Sequence, residues 1–350
     1  MDQVSDGARA RALGALYGLA IGDALGMPTQ SRSRADIVAE YGSLLDGFEP
    51  GPPGHPLAAG LPAGSVTDDT EQAVLLARLI VKSGGTPDPA ELAKQLLAWE
   101  DSMRARGSLD LLGPSTQHAL AAIAAGASIE DAGRSGTTNG AAMRITPVGV
   151  ATPSGDSRLL VDRVVAASRV THNTGIALAG AAAVAAAVSA GIDGATVPEA
   201  VQRAAAAAAE AAACGHWAAG ADVASRITWA AGLVDGLGRE RAMDVVYRLV
   251  GTSLATQESV PAAFAVATVS PEDPWLACRI AASLGGDCDT IAAMTGAICG
   301  ACRGLESFPA SARSTVTRVN VRDLGLEGLA VGLLAVRSGT APRAGGDAAG

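Results

Sequence analysis

Little in this chain is aromatic, and no part of it is strongly basic. Phe, Trp and Tyr make up 3% of its 350 residues, and lysine occurs only at Lys82 and Lys94. No basic stripe forms and the formal net charge is −9, so nucleic acid is excluded as the expected partner. Cysteine is sparse as well. Cys214, Cys278, Cys288, Cys299 and Cys302 are odd in number and irregular in spacing. That pattern excludes a disulfide framework and fits a reducing, cytoplasmic compartment. Cys299 and Cys302 make a C-x-x-C pair inside an apolar run with no second pair, which reads as core packing. The first six residues lack a positively charged region, so no signal peptide is expected. The longest apolar run, 175–192, is nearly all Ala, Gly and Val. It is too weakly hydrophobic for a membrane span and reads as a buried central helix, so no membrane partner is expected.

What is abundant points the same way. Apolar residues reach 49% and charged residues 17%, enough for a large core and against disorder. Ala and Gly dominate, a mix that favours close-packed helices over a sandwich of sheets. No stretch sustains the period-two alternation of a strand. The reading is therefore all-α, a single domain over 7–337, followed by a disordered tail over 338–350. Helices are expected at 8–25, from 68 to about 81, and at 89–103, 115–125, 161–170, 175–190, 198–213, 219–233, 239–250, 261–269, 274–284 and 290–303. Segments 42–64 and 107–113 read as loops, and 135–140 as a turn. Within 8–25, Gly14, Gly18, Gly22 and Gly26 recur at every fourth place. They leave a face without side chains, against which another helix packs or a ligand lies; helix packing is the preferred reading. Asp68 and Glu71 have the spacing of a capping box.

Two acidic motifs carry the chemistry. One is Thr67-Asp68-Asp69-Thr70. The other is Asp287-Cys288-Asp289-Thr290, preceded by Gly285-Gly286. Each puts two carboxylates beside a Thr hydroxyl at the start of a helix. A single such pair has an ordinary explanation, the capping of exposed N–H groups. Two pairs that met in space would repel strongly without a cation, and their all-oxygen donor set suits Mg²⁺ and is accepted by Mn²⁺. Between them, Asn139-Gly140-Ala141-Ala142-Met143-Arg144 reads either as a turn before a helix or as an amide cradle for a sugar or phosphate. His172, in Thr171-His172-Asn173, differs from His55, His118 and His216 in its polar, turn-forming neighbours.

Taken in order, Gly22-Asp23-Ala24-Leu25-Gly26, Thr67 to Thr70, Asn139-Gly140 with Met143-Arg144, Thr171-His172, and Gly285-Gly286-Asp287-x-Asp289-Thr290 resemble the ADP-ribosylglycohydrolase family, which includes the dinitrogenase reductase-activating glycohydrolases. The resemblance runs from about residue 13 to 334. It implies a multi-helix all-α domain with a central metal-binding cleft holding two Mg²⁺ ions, with Mn²⁺ as the substitute. It implies Thr67, Asp68, Asp69, Asp287, Asp289 and Thr290 as ligands, with Asp68, Asp69, Asp287 and Asp289 as the catalytic carboxylates. The activity implied is removal of ADP-ribose from protein side chains or of a ribosyl group from a related riboside, so the partner is an ADP-ribosylated protein or a ribosylated small molecule. By the same matching, Asn139, Gly140 and Met143 line the substrate cleft and His172 stands near the ribose. Ser115 and Thr116, in a loop at a helix start, form a diphosphate cradle. Asp23 is read as a supporting or capping residue and not as a ligand.

Two positions depart from that pattern. Gln30 stands where many relatives carry a loop Glu near the scissile bond. Gly136 stands where some carry an acid. The metal set is intact, so hydrolysis is retained, but an arginine-directed activity does not follow. A small ribosylated metabolite or nucleoside-like riboside is an alternative substrate. A non-catalytic ADP-ribose-binding protein on the same fold and a two-metal phosphoesterase are the alternative functions.

Overall fold

The computed structural model describes residues 5–108, 112–320 and 324–341. In chain order the helices are α1 (Asp6–Gly26), α2 (Arg34–Tyr41), α3 (Asp68–Ser83), α4 (Pro89–Ala105), α5 (Pro114–Ala124), α6 (Ile129–Ala132), α7 (Gly140–Met143), α8 (Thr146–Ala151) and α9 (Ser157–Ser168). They continue as α10 (Gly175–Ile192), α11 (Val197–Ala211), α12 (Val223–Val234), α13 (Arg239–Val245), α14 (Thr256–Val269), α15 (Pro274–Ala282), α16 (Cys288–Arg303), α17 (Ala310–Val319) and α18 (Leu326–Arg337). Among the described residues β pairing is limited to isolated bridges, such as Arg32 with Gly286. The all-α reading holds.

The molecule is organised around one helix pair. α1 and α16 run antiparallel with their backbones in direct contact, because the recurring glycines of α1 meet small residues of α16. A Cβ on Gly14 would run into the Gly300 carbonyl, on Gly18 into that of Gly296, and on Gly22 into that of Ala292. One turn further, a Cβ on Gly26 would run into the backbone of Asp289. The side-chain-free face of α1 therefore serves helix packing. α10 lies against α16, α11 and α8. It is long and apolar enough to cross a membrane, and 94% of it is buried inside the fold. Cys299 and Cys302 are free thiols buried in α16, as core residues.

Several boundaries differ from expectation. α14 begins at Thr256 and carries Pro261 inside it, where the sequence suggested a start at the proline. α13 ends at Val245 and passes into a π turn over Val246–Val250. The Asp68–Glu71 capping box does not form. Thr67 is the N-cap of α3, and Glu71 accepts instead from the Trp99 indole at 2.6 Å and from Arg106 at 3.2 Å. α2, α17 and α18 fall where no helix was expected. The first residues of the expected tail are hydrogen-bonded back onto α18, Ser338 N to Leu334 O at 3.0 Å and Thr340 N to Ala335 O at 2.9 Å. Residues 342–350 of that tail lie outside the described residues.

Two glycine substitutions separate packing from propensity. Gly22→Ala is expected to lose about 3 kcal/mol or more, since the interface has no room for a methyl group. Gly232→Ala, in α12 with nothing within 4 Å of its added Cβ, is expected to gain about 0.5–1 kcal/mol. Chemical denaturation of both variants checks this. Wild-type stability in Gly22→Ala would contradict the close approach of α1 and α16.

Candidate functional site

The second acidic motif owes its position to its two glycines. Gly285 and Gly286 have φ of 95° and 81°, a region that side chains rarely adopt. There the chain is pinned on both sides: Gly286 N donates to Arg32 O at 2.8 Å, Ser31 N to Gly286 O at 2.7 Å, and Asp287 N to Thr252 O at 2.8 Å. Asp287 is the N-cap of α16, yet its side chain makes no capping bond. It turns to Asn139, whose Nδ2 donates to Asp287 Oδ2 at 2.5 Å and lies 3.0 Å from Ser259 Oγ.

The first motif is held from below by Asp23. This buried carboxylate accepts from Thr67 N at 3.0 Å, Thr67 Oγ1 at 2.7 Å, Thr70 N at 3.1 Å and Thr70 Oγ1 at 2.5 Å. Asp23 thus caps α3 from a different helix, and Asp68 and Asp69 are spared that task. Burial raises the Asp23 carboxyl to about 6 against the opposing pull of these hydrogen bonds. Asp68 accepts from Gln72 Nε2 at 2.9 Å. Gln72 in turn lies 3.4 Å from the guanidinium of Arg144, which also donates to Thr171 Oγ1 at 2.6 Å. Arg144 is fully buried, and burial lowers it to about 10 although Asp68 acts in the other direction.

The two motifs meet at Asp69. Thr290 Oγ1 donates to Asp69 Oδ2 at 3.2 Å across 221 positions of sequence. Asp69 is fully buried, and its carboxyl is pushed well up, first by burial and then by the charges of Asp289, Asp68, Asp23 and Asp287. Its Oδ1 has no hydrogen-bond partner among the described residues. Burial likewise raises Asp287. The acids share one floor without closing on a point: among the described residues no three His, Cys, Asp or Glu side chains stand in metal-holding geometry.

Above this floor lies a cavity of about 350 Å³. Asp68, Asp287, Asp289 and Thr290 face it, with Asn139, Gly140 and Met143 on one wall, Thr116 with Gly113 and Pro114 on another, and Gln30 with Ser31 and Leu57 on a third. Thr67 and Asp69 lie beneath. Ser115 is half-buried and does not line the cavity, so the expected cradle reduces to the start of α5 and Thr116. His172 does not reach the cavity either. It is fully buried behind Gly140, where an added Cβ would stand 2.9 Å from its Cε1. Its ring nitrogens lie 2.7 Å from Thr171 Oγ1 and 3.0 Å from Thr138 Oγ1. Burial and then the Arg144 charge hold it well below its usual range, so it stands neutral as a support for that wall. Gly136 is glycine for a local reason: a Cβ there would run into the Thr171 carbonyl.

Volume alone does not single out this cavity. A groove of about 360 Å³ lies between α3 and α4. Of its charged lining residues Glu71, Arg78, Lys82 and Glu91, Glu71 is already engaged by Trp99 and Arg106, and Glu91 by Gln95. Sequence reasoning passed over His55, Arg144 and Ser259 as supports. His55 sits in a Gly/Pro-rich loop with no periodic signal, and the roles of the other two exist only through contacts distant in sequence.

The profile of the family described as "ADP-ribosylglycohydrolase" matches residues 5–342. Among curated proteins, the chain is similar to the uncharacterized protein YegU of Escherichia coli (strain K12), 36% identical over 89% of this chain and 93% of that one. It is also similar to the ADP-ribosyl-[dinitrogen reductase] glycohydrolase of Rhodospirillum rubrum, 34% identical over 47% of this chain and 51% of that one. Among solved structures, an ADP-ribosylglycohydrolase-related protein complex shares the fold, with a TM-score of 0.65 at 24% identity over 95% of this chain and 99% of that one. The chain, carrying both acidic motifs on one cavity floor, belongs to the ADP-ribosylglycohydrolase family, a family of hydrolases.

Proposed function

We propose that this chain is a divalent-metal-dependent glycoside hydrolase that cleaves an N- or O-glycosidic bond to ADP-ribose or a related ribosyl group. The observation that carries the reading is the meeting of the two motifs at Asp69. A buried carboxyl with an unfilled oxygen, ringed by four other carboxylates, is the environment that a hard cation relieves. Thr67, Asp68, Asp69, Asp287, Asp289 and Thr290 would hold two Mg²⁺ ions, with Mn²⁺ as the substitute. When bound, such ions polarise oxygen ligands and make a water more acidic. The chain's own residues do the rest. Asp23 and Asn139 fix the floor from below and from the side. A carboxylate of the floor accepts the proton of the attacking water. The α5 N-terminus and Thr116 suit an anionic group such as a diphosphate. The family and the named R. rubrum relative support ADP-ribose on a protein as the substrate class. Gln30 on the cavity wall favours, as the second reading, a small ribosylated metabolite or nucleoside-like riboside.

Asp289→Ala is expected to abolish hydrolysis and the calorimetric heat of Mg²⁺ binding, whereas Cys288→Ser keeps both. The Cys288 side chain is buried with Ile37 and Leu45 and accepts from Gly285 N at 3.0 Å, a bond that a serine oxygen can also accept. Thiols also prefer softer metals. Equal losses in the two variants would mean that loop packing, and not ligation, is being measured.

Hydrolysis of ADP-ribosyl-arginine is expected to be weak compared with that of another riboside, and Gln30→Glu is expected to raise the rate on an ADP-ribosyl substrate. A positioned acid or base contributes typically ~10²–10⁴-fold. Steady-state rates on a panel of ribosides check this. Fast wild-type turnover of the arginine adduct would overturn it.

A further inference from the structure

Gln30 is a wall residue with a hydrogen bond to spare. It lines the cavity beside Ser31, Leu57, Asp68 and Asp289 and is 4% exposed. Its Nε2 is buried and has no hydrogen-bond partner among the described residues. A buried amide donor left without an acceptor is costly, and at the wall of a polar cavity the acceptor can come from a ligand. The terminal torsion of glutamine is soft, so the amide turns toward the cavity at little cost.

The backbone that carries it is fixed from every side. Gln30 N donates to Gly26 O at 2.9 Å, and Ser31 N to Gly286 O at 2.7 Å. Ser31 sits at a φ of 59°, a conformation held by those neighbours. The Gln30 carbonyl lies 2.9 Å from His55 Nε2. His55 is 5% exposed, and its Nδ1 accepts from Leu57 N at 3.1 Å and Ala58 N at 2.9 Å. Two donors into Nδ1 fix the neutral tautomer with its proton on Nε2, so the ring donates to the Gln30 carbonyl. One imidazole thereby braces the loop carrying Leu57 against the turn carrying Gln30.

We propose that Gln30 is a specificity-determining residue whose side-chain amide donates to an acceptor oxygen of the riboside, and that His55 is the positioning residue that holds it there. This rests on the reading of the cavity as a riboside site. It adds a chemical requirement to that reading. The group lodged against Gln30 offers a hydroxyl, carbonyl or carboxylate oxygen. A guanidinium, with five donors and no acceptor, could meet only the amide oxygen of Gln30 and would leave its Nε2 unpaired.

The test is calorimetric titration of ADP-ribose, in the presence of magnesium, into the full chain and its variants. Gln30→Met keeps the length of the side chain and removes the donor; binding about fivefold to tenfold weaker is expected. Gln30→Leu serves as a second variant should the first lose its fold by thermal melting. His55→Asn can still accept from Leu57 and Ala58 in an Asx turn but is too short to reach the Gln30 carbonyl. It is expected to bind about threefold more weakly, and to have no further effect when Gln30→Met is already present. A merely structural His55 would weaken binding equally in both backgrounds, which would overturn its positioning role. Equal affinity in wild type and Gln30→Met would overturn the inference and leave the proposed function standing. A wild-type chain that bound neither ADP-ribose nor any riboside of the panel would overturn both.

Discussion

The backbone contact between α1 and α16 is the constraint on which everything else rests. Two helices can come this close only where neither presents a side chain larger than a methyl group, and the period of four in Gly14, Gly18, Gly22 and Gly26 keeps one bare stripe along about three turns. The contact does more than fill space. It ends at the Asp289 backbone, against which Gly26 packs, so the last glycine of the stripe sets the height of the second acidic motif above α1. Asp23, one residue after Gly22, emerges from the same helix and holds Thr67 and Thr70. A single helix therefore positions both motifs, one through an absent side chain and the other through a carboxylate.

That arrangement concentrates negative charge where water is excluded. Asp23 is balanced by four hydrogen bonds, yet burial still raises its carboxyl to about 6. Asp69 has fewer partners, and burial together with its acidic neighbours pushes its carboxyl well up. Arg144 is buried nearby and donates to Gln72 and Thr171; Gln72 in turn donates to Asp68, and the Arg144 and Asp68 charges also act on each other directly. A core built for stability alone would not gather these carboxylates, because like charges in a poorly solvated site destabilise one another. The ordinary alternative, that the acids cap their own helices, is not met at α16, where Asp287 makes no side-chain capping bond, and at α3 the Thr67 and Thr70 N–H groups go to Asp23 of another helix.

Much of the fold was legible because its signals are local. The absence of period-two patterning excluded sheets, and the long helices followed from apolar runs bounded by Gly and Pro. The glycine stripe was legible too, though not its partner, since the small residues of α16 have no cue that pairs them with α1. Helices α17 and α18 escaped notice because tertiary packing, such as Val316 and Leu333 entering the core, settles what their weak sequence pattern does not. At the site, the acids, Asn139 and Met143 were readable as motifs. Of the two residues expected at the start of α5, Thr116 lines the cavity and Ser115 does not, because which face of α5 turns inward depends on the loop before it. His172 was expected beside the ligand and stands behind Gly140, since a missing side chain at one position makes room for a ring from another.

The two departures from the family pattern differ in kind, and the structure separates them. At Gly136 the missing acid is a steric matter: the chain passes so close to the Thr171 carbonyl that no side chain fits, whatever its chemistry. The backbone there carries a load, because the Gly136 carbonyl accepts from Thr174 Oγ1 at 2.6 Å at the start of α10. Nothing about the substrate follows from that glycine. Gln30 is the opposite case. Its space is kept, its backbone is braced on both sides, and the side chain has the shape of a glutamate with a donor in place of one oxygen. A side chain of that shape with one acceptor turned into a donor changes which ligand atoms can lie against the wall, while leaving the acidic floor untouched. Of the two positions, Gln30 is therefore the one that bears on the proposed substrate.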